Sequence, residues 1–238
     1  MNIDVFINEA NHYLDILRGY EENGEIFTDT NFYPSSTYII KDSKINLSPE
    51  KQKWERVDKY YSAPLFQKDV INENTIKQGD LDDYFLISIF YKIAQTPDFI
   101  EKLFDTRTKR DAKKEYINSI NIKCGAVIVY FHKFGRKIPI LIDTLIPFNS
   151  ETKKPYFSHP SDFNYSPWFC LVEKAYAKLN GSYSSIVDRP FSQIIYNLFG
   201  YFSYSQQICN YLRDHQDEEN FEENEYEFCS EISELKEE

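Results

Sequence analysis

Four cysteines and four histidines supply the thiols and imidazoles of this sequence, the groups that serve as nucleophiles, general bases and zinc ligands. The cysteines are widely separated, form no C-x-x-C pair and have no histidine at zinc-finger spacing; they are Cys124, Cys170, Cys209 and Cys229. We therefore predict four reduced thiols, and neither a disulfide framework nor a structural metal site.

The histidines lie in segments that favour structural or solvent-exposed roles. His132 falls in a predicted hairpin and His159 in a predicted loop, whereas His215 lies in a strongly acidic stretch. A histidine among many carboxylates is more often a solvated side chain than a catalytic base. The histidines therefore give no sequence evidence for a base that could activate a thiol.

The net charge of −11 is concentrated near the C-terminus. Residues 213–238 carry twelve acidic and two basic side chains, so the other 212 residues carry a net charge of only −1. A broad basic face for nucleic acid is excluded by this distribution. We expect protein partners instead, because an acidic segment either solvates the chain or docks to a basic partner.

Composition indicates a globular domain. The 238 residues are 42% hydrophobic and 17% aromatic, which is enough to build a core. No stretch approaches the roughly 20 apolar residues that cross a bilayer, and the N-terminus lacks the basic start and apolar run of a signal peptide. We therefore expect a cytoplasmic location without a membrane span.

Apolar periodicity predicts an α+β fold that is mainly helical, with a small antiparallel hairpin or sheet. Three amphipathic or buried helices are expected; they lie over residues 1–20, from near Asp83 onward, and over residues 97–104. Residues 26–76 are irregular and rich in turn formers, so we expect loops with short elements there. This long segment must wrap over the rest of the core.

Two β-type runs and one well-marked helix complete the predicted core. Residues 126–132 and 138–143 predict a hairpin, with Pro139 favouring an edge position. Ser166 as N-cap and Pro167 at the first helical position predict a helix that ends at Gly181. The aromatic-rich residues 191–204 predict a further helix or turn.

Two segments carry a more specific signal than periodicity. Residues 78–86, QGDLDDYFL, resemble the calpain signature QGxLGDCWL. Residues 168–183, WFCLVEKAYAKLNGSY, are similar to the calpain stretch WxxLxEKAYAKxNGSY. Weaker similarities follow in the family's order; they lie at residues 27–34, 54–56 and 135–147.

The resemblance covers about residues 27–202 and corresponds to the first of the two lobes of a papain-like calpain core. It implies three regions, an N-terminal helix over 1–26, a calpain-like first lobe over 27–205 and an acidic tail over 206–238. The second lobe, which would carry the catalytic histidine and asparagine, is not expected in this sequence.

The calpain mechanism requires a thiol where this sequence has a phenol. In the family, a cysteine at a helix start attacks the peptide carbonyl and a glutamine six residues upstream stabilises the oxyanion. By resemblance, Gln78 is that glutamine and Tyr84 occupies the nucleophile position. A phenol is a poor acyl-transfer nucleophile. Asp82 and Asp80 would also disfavour a thiolate there, so one substitution should not restore catalysis.

Calcium is the ion that the resemblance suggests. Calpain first lobes bind it through backbone carbonyls, an aspartate upstream of the signature glutamine, and the glutamate of the EKAYAK helix. Glu173 matches the glutamate, whereas Thr75 stands at the aspartate position. A hydroxyl is a weak substitute for a carboxylate, so we expect the calcium site to be lost, no cofactor, and a structural hydrogen bond or ion pair at Glu173.

These features together predict a catalytically inactive, calpain-like structural or interaction module. Resemblance to single-lobe calpain-like modules of protists suggests axonemal or other cytoskeletal partners, in a cilium or the cytoskeleton. One alternative is a regulator or competitor of active calpains. The other is a calcium-dependent endopeptidase whose second lobe comes from another chain.

Two surfaces are candidates for partner binding. One is the face where a second lobe would dock, around Asp82, Tyr84 and Phe85, because an uncovered lobe exposes apolar area. The other is the acidic tail, where apolar residues recur at helical spacing; they are Phe228, Ile232 and Leu235, preceded by Phe221. A frayed, solubilising tail is the alternative for the second surface.

Overall fold

The computed structural model describes residues 4–32, 52–62, 71–96, 98–105 and 124–201. All of them belong to the first of two compact units, residues 1–203. The second unit, residues 204–238, lies outside the described residues, and with it the predicted apolar stripe of the acidic tail.

Six α-helices occur in the described ranges. They are α1 (Asp4–Asn23), α2 (Val57–Tyr60), α3 (Tyr84–Ala94), α4 (Asp98–Leu103), α5 (Trp168–Asn180) and α6 (Phe191–Phe199). Short 3-10 turns occupy Glu73–Thr75 and Ser184–Ile186. The predicted helices at the N-terminus, after Asp83 and over residues 97–104 are confirmed within a few residues.

Six strands form three two-stranded antiparallel sheets in the same ranges. The strands are β1 (Gln52–Arg56), β2 (Ile76–Lys77), β3 (Ala126–Lys133), β4 (Arg136–Asp143), β5 (Leu145–Asn149) and β6 (His159–Pro160). β1 pairs with β5, β2 with β6 and β3 with β4. This mixture of helices and small antiparallel sheets confirms the predicted α+β class.

The β3–β4 hairpin reverses more tightly than predicted. Lys133 pairs with Arg136, so the connection is the two-residue turn Phe134-Gly135 instead of a five-residue loop. Both turn residues have positive φ, 52° and 73°, as a type I′ turn requires. The sequence hid this turn because phenylalanine is not a residue that normally favours positive φ.

α5 begins one residue later than predicted. Pro167 is the N-cap, with φ −89° and ψ 22°, and it makes no side-chain cap hydrogen bond. The prediction of Ser166 as N-cap and Pro167 as first helical residue is therefore wrong, because this ψ lies outside the helical range. The predicted stop is confirmed, since Gly181 has φ 98°.

α5 forms the centre of the core. Its first ten residues, 168–177, are all buried. The rings of Trp168 and Phe90 of α3 meet edge to face with their centroids 5.3 Å apart. The ring centroids of Tyr176 and Phe131 of β3 are 5.5 Å apart. α1 covers the other face of the hairpin through a smaller cluster, which contains Leu14, Leu17, Cys124, Ala126, Ile128 and Leu141.

Two lysines of α5 connect this helix to the chain around it. Lys174 is fully buried, pairs with Asp143, and donates to the carbonyl of Leu145 at 2.7 Å. Burial lowers the pKa of Lys174, and the charge of Asp143 opposes that effect. Lys178 donates to Asp29 Oδ2 at 2.6 Å. The lysines of the EKAYAK segment therefore serve packing in this protein.

Within the described ranges, every helix is too short or too polar to cross a lipid bilayer.

Candidate functional site

The loop that leads into α3 lies directly on the backbone before β6. A Cβ atom at Gly79 would be 2.2 Å from the carbonyl oxygen of Tyr156 and 2.3 Å from that of Phe157. The amide of Asp80 donates to the same Tyr156 oxygen at 2.6 Å. Only glycine permits this approach, and the approach fixes the position of the residues on either side.

Gln78 uses its side-chain amide within this loop. Its Nε2 donates to the carbonyl oxygen of Leu81 at 2.9 Å. Leu81 is fully buried, so the hydrogen bond joins an exposed side chain to the interior of the loop. One of the two N–H donors of the amide that the calpain resemblance assigns to oxyanion stabilisation is therefore bonded to a local backbone carbonyl.

Tyr84 is the first residue of α3, and its side chain is 48% exposed. The centroid of its ring lies 4.3 Å from that of Phe85. The Phe85 centroid in turn lies 6.2 Å from that of Phe191 of α6. The space between this pair and Arg189 is too narrow to hold a water molecule. Aromatic side chains thus occupy the region at the N-terminus of α3.

The thiols in the described ranges, Cys124 and Cys170, are both buried. Cys170 lies in α5, where its Sγ donates to the carbonyl of Ser158 at 3.1 Å, and burial raises its pKa. Cys124 is 1% exposed. A buried, protonated thiol is a weak nucleophile. Cys209 and Cys229 lie outside the described residues.

Asp83, immediately before α3, is the most unusual group at this site. Its side chain is 3% exposed, and neither carboxylate oxygen accepts a hydrogen bond from another described group. Its neighbour is the buried carboxyl of Glu173, close enough to share a hydrogen-bonded proton. An ionised carboxylate has no hydrogen to donate, so two of them cannot form a hydrogen bond with each other. A hydrogen bond between Asp83 and Glu173 therefore requires that one of the two carboxyls carries a proton.

Burial is the main reason that this pair retains a proton. Removal from water raises the pKa of Asp83 to about 7, and raises the pKa of Glu173 well above its ordinary value. The charge of Asp83 raises the pKa of Glu173 further. Sequence reasoning placed Asp83 correctly at the helix start but missed its burial, because its partner is ninety residues away.

The two positions that the resemblance assigns to calcium are otherwise engaged. The hydroxyl of Thr75 donates to the carbonyl of Asn72 at 2.6 Å, and Glu173 Oε1 accepts from the amide of Ser158 at 3.3 Å. The described residues contain no cluster of three or more His, Cys, Asp or Glu side chains suited to a metal ion. The hydroxyl of Thr75 carries no negative charge, so Glu173 is the one carboxyl at the two positions that the resemblance assigns to calcium.

The structure also contains an apolar groove that the sequence did not predict. Helices α3, α4 and α6 surround a cavity of about 320 Å³. Its lining includes Phe99, Phe191 and Phe199, of which the first two are about 40% exposed. The lining comes from three separate segments, so no local pattern could have revealed it.

The candidate partner face is brought together only in part. Asp82 and Tyr84 are exposed, while Phe85 is half-buried beneath the tyrosine ring. The second predicted surface, with Phe228, Ile232 and Leu235, lies outside the described residues.

Comparison with known proteins finds calpains, both by family and by individual relatives. Residues 27–232 match the calpain family of cysteine proteases. Human Calpain-14 is 25% identical over 75% of this chain and 24% of its own length. Calpain from Schistosoma mansoni is 28% identical over 73% of this chain and 22% of its own. The Calpain-1 catalytic subunit of Rattus norvegicus is 29% identical over 69% of this chain and 22% of its own length.

The chain therefore spans less than a quarter of the length of these relatives. The match extends from residue 27, just after α1, through the buried helices and the hairpin to residue 232. The motifs at residues 78–86 and 168–183 lie at the two helices, α3 and α5, that meet at the buried carboxyl pair. On this evidence the chain belongs to the calpain family of cysteine proteases.

Proposed function

We propose that this protein is a catalytically inactive calpain-family member that acts as a structural or interaction module. The proposal rests on Tyr84, the first residue of α3, at the position where the calpain signature has its cysteine. Thiol proteases need a thiolate at this point to attack the peptide carbonyl. A half-exposed phenol packed on Phe85 supplies no such nucleophile.

The surroundings of Tyr84 support the same proposal. Asp82 stands where the calpain signature has a glycine, and Asp80 adds a second exposed carboxylate to the loop before the helix start. A cysteine protease needs the opposite arrangement, with positive potential around the sulfur. The replaced residue is therefore one of several differences from an active centre.

The packing residues of the calpain-like motif at 168–183 are present in this sequence, which favours structural reuse of the fold. Trp168 and Tyr176 are fully buried, and Asn180 Nδ2 donates to the carbonyl of Tyr176 at 2.9 Å. Loss of such large side chains typically costs about 3 to 5 kcal/mol. A chain that retains them without the reactive cysteine keeps its fold for a purpose other than hydrolysis.

Partner binding is proposed at the face formed by Asp82, Tyr84 and Phe85. The exposed phenol combines an apolar ring with a polar tip, a combination favoured at protein interfaces. Ciliary or cytoskeletal proteins in the cytoplasm are the proposed partners. The apolar residues of the acidic tail, among them Phe228, Ile232 and Leu235, are a second proposed contact.

A regulator of active calpains is the second candidate function. The observation that favours it is the exposure of Tyr84 on the face that the family uses between its two lobes. A first lobe that presents this face could pair with the second lobe of an active calpain or compete with its first lobe. Peptidase activity assembled with another chain is the least favoured alternative, because it would still lack the thiol.

The decisive experiment is a peptidase assay combined with thiol labelling. The purified chain is incubated with a fluorogenic peptide and with an active-site-directed thiol probe, with and without calcium, next to an active calpain as positive control. We expect neither cleavage nor calcium-dependent labelling. Cleavage that calcium stimulates and the probe abolishes would contradict the proposal, and Tyr84→Phe would then show whether residue 84 takes part.

Affinity capture separates the two candidate functions. Wild-type protein and Tyr84→Ala are immobilised separately and incubated with the same lysate. They should recover the same non-specifically bound proteins but differ in their specific partners. Cytoskeletal proteins lost with Tyr84→Ala support the structural module. Active calpains as the specific partners support the regulator instead.

A further inference from the structure

The β3–β4 hairpin ends in an aromatic residue with two unfavourable properties. Phe134 is 85% exposed, the largest exposed fraction among the large hydrophobic residues that the structure describes. Its φ is 52°, a value that costs a bulky side chain free energy. Asparagine or glycine would form this turn more favourably, so the turn itself gives no reason for phenylalanine.

The tip is held in place by α6 and α5. The amide of Gly135 donates to the hydroxyl of Tyr196 at 2.6 Å, and Asn197 Nδ2 donates to the carbonyl of His132 at 2.7 Å. Lys133 Nζ donates to the carbonyl of Leu179 at 3.3 Å. These three bonds fix the end of β3 and the turn, so Phe134 is presented on a rigid support.

Basic residues flank Phe134 in the sequence, and the ammonium of Lys137 lies 4.2 Å from the ring centroid of Tyr130. Lys133, Arg136 and Lys137 lie within three positions of Phe134, and residues 124–142 contain no acidic residue. The ammonium of Lys133 lies 5.7 Å from the ring centroid of Phe134. We call Phe134 with these three residues the basic tip. It combines an apolar end with positive charge, in a protein whose net charge is −11.

We propose that the basic tip is a contact site for an anionic lipid surface. An apolar side chain enters the boundary between headgroups and acyl chains, while lysine and arginine remain at the level of the phosphates. The tip is a turn and therefore convex, so a protein partner would need a preformed pocket around Phe134. A fluid lipid surface can surround a convex tip without one.

A second exposed aromatic residue lies near the same end of the hairpin. Tyr201 is 71% exposed and follows Gly200, where a Cβ atom would be only 2.8 Å from the ring of His132. Tyrosine favours the interface between water and lipid. The proposal concerns a different part of the molecule from Tyr84, and it holds whether or not the protein cleaves peptides.

Co-sedimentation of the full chain with vesicles tests the proposal. One set contains phosphatidylcholine alone and the other equal parts of phosphatidylcholine and phosphatidylserine, at low and at physiological salt. Because the net charge of −11 is repelled by anionic lipid, adsorption must depend on a local contact. We expect binding to the anionic vesicles only, weakened by salt.

Phe134→Asn is the decisive variant, because Asn-Gly is the preferred type I′ turn and the hairpin should be at least as stable. We expect a roughly five-fold loss of vesicle-bound protein, and a smaller loss for Lys137→Gln. Phe163→Asn, at an exposed phenylalanine in the loop before α5, serves as a matched control and should bind like wild type. Equal binding by wild type and Phe134→Asn overturns the proposal, as does no binding to anionic vesicles at low salt.

Phe134→Trp gives an independent readout. Its fluorescence, after subtraction of the wild-type signal, should shift to shorter wavelength with anionic vesicles, because the indole leaves water. A soluble poly-glutamate peptide supplies negative charge without an apolar phase and should leave the emission unchanged. A shift with the peptide alone would overturn the lipid proposal and assign the tip to an acidic protein.

Discussion

The carboxyl of Asp83, at the start of α3, lies against the carboxyl of Glu173, in the middle of α5. Asp83 is 3% exposed and Glu173 is 2% exposed. Their contact joins the two helices that carry the calpain-like motifs, one residue before Tyr84 in the sequence. The start of α3 is therefore built on a buried carboxyl pair.

This pair makes stability depend on pH. The ordinary pKa of an aspartate is 3.8, and the folded protein raises the pKa of Asp83 to about 7. Between these values the folded state holds a proton that the unfolded state has released, so the free energy of unfolding falls as pH rises through this window. Glu173, also raised, acts in the same direction.

Glu173→Gln should reduce this dependence, because it removes the titration of Glu173 and gives the Asp83 carboxylate a hydrogen-bond donor. The amide can donate to Asp83 while its oxygen still accepts from Ser158. We expect the variant to be more stable than wild type by about 2 kcal/mol at pH 8, and the difference to shrink toward pH 5. Urea unfolding at both pH values measures it. Asp58→Asn, an exposed carboxyl on α2, should leave the slope unchanged, and a less stable Glu173→Gln at pH 8 would contradict the assignment.

A cysteine restored at position 84 should not behave as a catalytic thiol. Asp82 and Asp80 add negative charge beside the helix start, so the thiol of Tyr84→Cys should have a pKa no lower than the ordinary value of about 8.5. Ser88→Cys provides an exposed thiol one turn further along α3. Alkylation at neutral pH, followed by mass spectrometry of the α3 peptide, should give similar rates. A roughly ten-fold faster reaction at position 84 would show an activated thiol.

Calcium should not stabilise the wild-type protein. Thr75 offers a hydroxyl that is already bonded to Asn72, and Glu173 shares its proton with Asp83. We therefore expect the same Tm in calcium and in chelator. Thr75→Asp buries a carboxylate at a 4% exposed position and should lower the Tm, with partial recovery in calcium but not in magnesium. Thr75→Asn is the uncharged control, and saturable stabilisation of wild type by calcium would refute the loss of the site.

Local sequence signals predicted the elements well but not their long-range contacts. Asp83 before α3, the hairpin strands and the glycine stop of α5 were visible because each depends on residues a few positions apart. The burial of Asp83 against Glu173 was not visible, since nothing near Asp83 identifies a partner ninety residues away. The sequence proposed Gln78, Tyr84 and Glu173 as site positions, and the structure added the burial of Asp83 and its contact with Glu173.

The hairpin turn and the start of α5 were misjudged for a different reason. In both cases a residue adopts a backbone conformation that its type does not normally favour or signal. Phe134 accepts a positive φ because the bonds to Tyr196 and from Asn197 hold the hairpin, and Pro167 has a ψ of 22°. Tertiary contacts override local preference at such positions.

Removal of one partner of the buried ion pair of α5 should strongly lower the free energy of unfolding. Lys174 and Asp143 both have fully buried side chains. Lys174→Met removes one charge and leaves the other uncompensated, which typically costs about 3 to 5 kcal/mol. Lys178→Met should cost less, because Lys178 is 20% exposed and water can reach Asp29 more easily. The double variant Lys174→Met with Asp143→Asn should recover part of the loss in urea unfolding. An effect of Lys174→Met no larger than that of Lys178→Met would contradict this ranking.

Two glycines provide an opposite pair of expectations. Gly79→Ala places a Cβ atom 2.2 Å from the carbonyl oxygen of Tyr156, so the loop that carries Gln78 must move. Gly19, inside α1, has no atom within 4 Å of its added Cβ. Gly19→Ala should therefore raise the free energy of unfolding by up to about 1 kcal/mol through helix propensity. Gly79→Ala should lower it by about 2 kcal/mol or more and shift the amide signals of α3. If both alanines were tolerated equally, the close contact between this loop and the backbone before β6 would not be what positions the start of α3.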